Sequence, residues 1–256
     1  MRDALDVLEI GRGPRVVLVH GTGGSREATW SDQLGLADSY TLLLPDRRGY
    51  GRSDPGADPD FARDGDDITD LLGDGAHLVG FSYGGIGSLI AATMRPTAVL
   101  SLTLIEPPAF GLVRGNDAVD ELVRRLRSVY AAAPSLSPEE FDIRFDRSFG
   151  LEADDYVADQ VTRQRLDAAR RERPPWEAHP TLQTIAGAAF PKLVISGAWH
   201  AAFDAVCDEI EASTGARRAI LPRGHGAQHR PEANRELLAI WNHPTGASRS
   251  VSAGHT

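Results

Sequence analysis

Apolar residues along this chain fall into short runs separated by segments of helical spacing. Leu5, Val7 and Ile10 keep roughly a two-residue period, Gly11-Arg12-Gly13-Pro14 breaks the chain, and Val16-Val17-Leu18-Val19 follows, a pattern that predicts a β-hairpin. Further strands are predicted at 40–44, in the run ending at Phe81, and at 100–105. Between them, 64–72 and 86–94 carry apolar residues at helical spacing. Strands that are apolar on both faces and alternate with helices predict a mainly parallel sheet covered on both sides.

From 107 to 189 the rhythm changes, with helices predicted and no strand. Val119, Leu122, Val123, Leu126 and Tyr130 form one amphipathic stripe over 117–133. Ser137-Pro138-Glu139-Glu140 has capping-box spacing with proline at the first helical position. A helix is predicted over 154–173, closed by Pro174-Pro175; its Arg163, Arg165, Arg170, Arg171 and Arg173 are interleaved with acids and read as a solvated face. Alternation resumes with a strand at 193–195, a helix at 203–214, a strand at 219–221, a loop at Arg223-Gly224-His225-Gly226 and a helix at 231–241. The expected fold class is α/β, a mainly parallel doubly wound sheet. A core of 1–106 and 190–242 carries an inserted helical cap at 107–189, and 243–256 is expected to be a disordered tail.

Composition narrows the partners. The chain has 256 residues, 41% hydrophobic and 25% charged, enough for one sizeable core. A formal net charge of -9 argues against nucleic acid or an anionic membrane surface, so a small-molecule substrate is expected. Cys207 is the sole cysteine, which excludes an intrachain disulfide. The first residues lack an apolar run of signal-peptide length, and no stretch approaches the roughly 20 apolar residues of a membrane helix. The expected setting is therefore cytoplasmic.

Three motifs suggest cofactors and fail on inspection. Gly11-Arg12-Gly13 precedes a strand instead of following one, and so reads as a turn. His20-Gly21-Thr22-Gly23-Gly24 does follow a strand, but Arg26 stands where the dinucleotide fingerprint has its third glycine. His225 and His229 are four residues apart without the glutamate of a zinc helix, and Gly226 opposes a helix there. Neither cofactor nor metal is expected.

Gly80-Phe81-Ser82-Tyr83-Gly84 lies between an apolar run and a helix, the strand-turn-helix setting of a nucleophile elbow. So sharp a turn leaves no room for side chains at positions 80 and 84. Together with His20-Gly21, the Asp46-Arg47-Arg48-Gly49-Tyr50-Gly51-Arg52-Ser53 loop and Gly224-His225, it makes the chain resemble the α/β-hydrolase superfamily up to Trp241. The resemblance implies Ser82 as nucleophile, His225 as its base, and the backbone N–H groups of Tyr83 and Thr22 as oxyanion donors, with Gly23 the alternative to Thr22.

The third triad member departs from the superfamily's commonest pattern, because His200 occupies the usual acid position. Two acids are available. Glu106 follows an apolar strand directly, where an unpaired carboxylate is costly, and Asp204 falls in the first turn of a helix, where the dipole already accounts for an acid. Glu106 is preferred. The implied reaction is acyl transfer to water from a carboxylic ester, thioester or lactone. C–C bond hydrolysis, lyase or other non-ester chemistry, and ligand binding without turnover, remain the alternatives. Phe110, Leu112, Tyr130 and Trp176 are candidate pocket walls.

Overall fold

A computed structural model describes residues 5–54 and 56–242. Its strands are β1 (Val7–Gly11), β2 (Arg15–Val19), β3 (Thr41–Pro45), β4 (Ala76–Phe81), β5 (Val99–Ile105), β6 (Lys192–Ser196) and β7 (Arg217–Ile220). They form one sheet in the order β1-β3-β2-β4-β5-β6-β7. Every pairing is parallel except that of β1 with β3.

The two-residue period of each strand divides the core into two layers. Val17, Val19, Leu78 and Leu104 face the layer that contains Ile68, Ile86, Leu89 and Val206. Val16, Leu18, Val79 and Ile105 face the opposite layer, with Trp30, Leu237 and Trp241. The helices are α1 (Arg26–Thr29), α2 (Phe61–Leu71), α3 (Tyr83–Met94), α4 (Asp117–Ala132), α5 (Pro138–Ser148), α6 (Gln160–Arg170), α7 (Leu182–Gly187), α8 (Ala201–Thr214) and α9 (Pro231–Trp241). Four of them, α4 to α7, fall between β5 and β6. No helix among the described residues is long and apolar enough to cross a membrane. The tail expected at 243–256 lies outside the described residues.

Local signals set most helix starts. Ser137 accepts the Glu140 N–H at 3.2 Å while the Glu140 carboxylate accepts the Ser137 N–H at 2.8 Å, a complete capping box with Pro138 at the first position of α5. Asp60 caps α2 through the Ala62 N–H at 2.7 Å, so this helix begins at Phe61, three residues before the segment 64–72 expected from the sequence.

Two expectations are corrected. The first apolar runs do not form a hairpin, because β3 lies between β1 and β2. Thr41 bonds both sides of the connecting turn, its N–H to the Pro14 carbonyl and its hydroxyl to the Gly13 carbonyl, each at 3.0 Å. Gly11, at φ +85°, passes so close that a Cβ there would sit 2.2 Å from the Tyr40 carbonyl oxygen, so the turn wraps over the start of β3. The helix expected over 154–173 is shorter, since Asp159 accepts the Thr162 N–H at 2.7 Å and starts α6 at Gln160. Residues 151–159 carry neither helix nor strand.

The elbow glycines are sterically required. A Cβ on Gly80 would meet the Ser88 hydroxyl at 2.4 Å, and one on Gly84 would meet the His20 carbonyl oxygen at 2.4 Å. Because the second obstacle is backbone, Gly84→Ala forces β2 and α3 apart. A loss of about 1–3 kcal/mol is expected, read as a lower urea midpoint; an unchanged midpoint contradicts the packing described here.

Candidate active site

Parallel pairing aligns the C-terminal ends of β4 and β5, with Phe81 in register with Ile105. The next residues, Ser82 and Glu106, both bend at positive φ, 49° and 47°. Each is anchored by a further sheet-like bond, Ser82 N–H to the Ile105 carbonyl at 2.8 Å and Glu106 N–H to the Ile195 carbonyl at 3.0 Å. Such backbone is sparsely populated for residues with a Cβ and persists where its surroundings impose it.

His225 reaches both residues from the loop after β7. Its Nε2 lies 2.9 Å from Ser82 Oγ and its Nδ1 lies 3.0 Å from Glu106 Oε2. An ionised carboxylate can only accept, so Nδ1 carries the proton and Nε2 is left to accept from the serine hydroxyl. Glu106 is fully buried, and its second oxygen accepts the Gly197 N–H at 2.8 Å, so both oxygens are satisfied. The rings of Phe81, Trp199 and Phe203 enclose His225 at centroid distances of 4.9, 5.3 and 5.0 Å.

The structure does not bring Asp204 to His225. Its carboxylate accepts from the Ser196 hydroxyl and lies 3.2 Å from the Arg218 guanidinium. His200 serves as the N-cap of α8, its Nδ1 accepting the Ala202 N–H at 3.1 Å. His229 pairs with Asp32 at 2.9 Å. Among the described residues no group of three His, Cys, Asp or Glu could hold a metal ion.

Thr22 and Tyr83 border a cavity of about 300 Å³ that contains Ser82 and His225. Tyr83 is the first residue of α3, where backbone N–H groups lack intrahelical partners. The Gly23 N–H is committed to the Tyr50 hydroxyl at 3.2 Å. Of the candidate walls, Phe110 and Tyr130 line this cavity. Leu112 lines a different surface groove, and Trp176 packs behind Tyr130 with ring centroids 5.1 Å apart.

A buried polar cluster holds the Thr22 loop. Glu172, just past α6, accepts from Thr22 Oγ1 at 2.6 Å, Tyr50 OH at 2.7 Å and Arg47 Nη2 at 2.8 Å. Arg47 also pairs with Asp64 at 2.8 Å and lies over the Tyr83 ring at 4.4 Å. Burial opposes the Arg47 charge, but Asp64 and Glu172 outweigh it and hold the guanidinium protonated. One guanidinium shared by two buried carboxylates leaves a negative charge in excess. Burial accordingly pushes the Asp64 carboxyl up to about 6 against the pull of Arg47. His20 completes the tie, its Nδ1–H donating to the Gly21 carbonyl at 2.9 Å while its Nε2 accepts the Arg47 N–H at 3.1 Å.

Sequence reading missed Glu172 and the α5 face that lines the cavity, where Phe141, Asp142, Phe145, Asp146 and Phe149 gather. The signal was present as a four-residue repeat, Phe-Asp at 141–142 and at 145–146 with Phe149 after it, which places both residue types on adjoining helical stripes.

Residues 14–178 match the model of a family described as the alpha/beta hydrolase fold. Pimeloyl-[acyl-carrier protein] methyl ester esterase of Methylococcus capsulatus is 38% identical over 96 residues, 37% of this chain and 37% of that protein. The 2-hydroxy-6-oxo-6-phenylhexa-2,4-dienoate hydrolase of Burkholderia cepacia is 34% identical over 139 residues, 50% of this chain and 48% of that protein. The matched region thus spans less than half the length of either relative. A carboxylesterase structure from Nitrososphaera gargenis superposes with a TM-score of 0.68 at 18% identity, covering 92% of this chain and 93% of that one, which is a likeness of fold.

The buried imidazole generates a pH prediction. Burial, reinforced by the Arg47 charge, pushes His20 from 6.5 down to about 3. Below pH 6.5 the unfolded chain takes up a proton that the folded chain refuses, so this group's contribution to stability is lost as pH falls from 6.5 toward 3. Asp64, holding its proton up to about 6, acts in the opposite sense and is common to parent and variant. The urea midpoint should therefore fall less from pH 7 to pH 5 in His20→Gln than in the parent, or rise, because the opposing contribution of Asp64 remains. Equal differences would remove His20 as the cause.

Proposed function

The chain belongs to the α/β-hydrolase fold family, and we propose that it is a serine hydrolase that cleaves a carboxylic ester, thioester or lactone of a small molecule through an acyl-enzyme on Ser82. The observation that carries this reading is the unbroken hydrogen-bond chain from Ser82 through His225 to Glu106 at the wall of a cavity.

His225 Nε2 removes the hydroxyl proton as Ser82 Oγ attacks the substrate carbonyl carbon, and the carbonyl π pair moves onto oxygen. Glu106 stabilises the imidazolium formed in that step. The backbone N–H groups of Thr22 and Tyr83 bind the oxyanion. Their place beside Ser82 supports this role, as does the commitment of the Gly23 N–H to Tyr50. The oxyanion then collapses, the bond to the leaving group breaks, and His225 gives that group its proton. Water enters, loses a proton to His225 and attacks the acyl carbon; the acid departs and Ser82 recovers its hydrogen.

An alkyl-enzyme ester, as in epoxide-opening chemistry, needs a carboxylate at the elbow, and position 82 offers a hydroxyl. Among the described residues no Lys or Arg lines the cavity to pair with a carboxylate-bearing substrate, which weighs against a dienoate of the kind named for the Burkholderia relative.

Steady-state hydrolysis of p-nitrophenyl esters tests the assignment of the acid. Glu106→Gln is expected to lower kcat about 10³- to 10⁴-fold, whereas Asp204→Asn, bonded elsewhere, should stay within about tenfold of the parent. A large loss in Asp204→Asn with near-normal Glu106→Gln would overturn the roles. Turnover that survives Ser82→Ala would overturn the hydrolase mechanism itself.

A further inference from the structure

The cavity beside Ser82 combines aromatic walls with two acidic side chains. Its walls are largely aromatic, with Tyr130, Phe141, Phe145, Phe149, Trp199 and Phe203 prominent. Its acidic side chains are Asp142 and Asp146, one turn apart on α5, and among the described residues no Lys or Arg lines it. Three other buried or half-buried acids of this helical region are each matched by arginine: Glu139 by Arg163 at 2.7 Å, Asp167 by Arg170 at 2.7 Å, Glu172 by Arg47 at 2.8 Å. Among the described residues Asp142 accepts a hydrogen bond from the Tyr156 hydroxyl alone, at 2.5 Å. Among the described residues the Asp146 carboxyl has neither a hydrogen bond nor an ion pair.

A half-buried carboxyl left unpartnered against aromatic rings is destabilised. Burial, and then the like charge of Asp142, push Asp146 up to about 6, while His225 across the cavity pulls the other way. A positive charge placed between these groups would relieve the repulsion, and the negative faces of the rings would add to the attraction. An anion would meet two carboxyls and no compensating cation. The overall charge of -9 also favours the approach of cations over anions.

Resting on the serine-hydrolase reading above, we propose that the substrate is an ester whose other end carries a cationic amine, quaternary or protonated, seated against Asp146 and Asp142 among the aromatic rings. The carbonyl then faces Ser82, and the cation sets the depth and direction of entry. Asp146 is a specificity group in this account and takes no part in the bond changes.

The test compares two esters of equal shape, p-nitrophenyl 4-(trimethylammonio)butanoate and p-nitrophenyl 5,5-dimethylhexanoate, which differ by a quaternary nitrogen in place of a quaternary carbon. The native protein is expected to favour the cationic ester in kcat/KM by about tenfold or more, and Asp146→Asn to reduce that ratio by a similar factor. A ratio at or below one, or a ratio unmoved by Asp146→Asn, overturns the proposal. Calorimetry with butyltrimethylammonium separates this failure from that of the hydrolase reading. If neither ester is cleaved but the cation binds the native protein about tenfold more tightly than Asp146→Asn, the cationic site stands and the hydrolase reading falls. Absent or equal binding removes the site whatever the esters show.

Discussion

The site depends on one register. Because β4 and β5 are parallel neighbours with Phe81 opposite Ile105, the residues that follow each strand leave the sheet side by side. Both turn through positive φ, which swings Ser82 and Glu106 out of the strand direction toward the loop that carries His225. A slip of one residue in either strand would reverse which side chains face out and separate the hydroxyl from the carboxylate. The glycines at 80 and 84 let α3 pack closely on β4 and β2, which fixes the elbow that carries Ser82.

The second constraint is the fully buried guanidinium of Arg47. It connects α2 through Asp64, the elbow through the Tyr83 ring, and the segment after α6 through Glu172. Glu172 in turn bonds Thr22, so the loop bordering Ser82 is fixed by residues far apart in sequence. Breaking a buried ion pair by removing one partner costs roughly 3–5 kcal/mol, and loss of the guanidinium would leave both Asp64 and Glu172 without their shared partner. Sheet, elbow and inserted helices are therefore coupled through a single polar cluster beneath the cavity.

Much of this was legible in the sequence because it rests on local rules. The sheet follows from apolar runs alternating with helices, and the elbow from two glycines that no other residue can replace. Ser137-Pro138-Glu139-Glu140 announced the start of α5. Glu106 stood out because a carboxylate directly after an apolar strand needs a partner, whereas Asp204 had a helix terminus to account for it. What escaped was non-local. Periodicity cannot report that β3 enters between β1 and β2, since Leu5, Val7 and Ile10 show the same pattern against either neighbour. Glu172 resembled the other charges of an arginine-rich helix until Thr22, Tyr50 and Arg47 met around it. Trp176 and Tyr130 carry similar apolar surface, and only packing decides that one faces the cavity and the other lies behind it.

The central claim is that Ser82 is an activated nucleophile, and intact-mass analysis after exposure to a fluorophosphonate probe tests it most directly. Phosphonylation requires His225 to accept the serine proton and leaves a stable adduct, so it reads the geometry without knowledge of the natural substrate. The account predicts a single adduct on the native protein and none on Ser82→Ala. No adduct on either protein, or equal labelling of both, would contradict it.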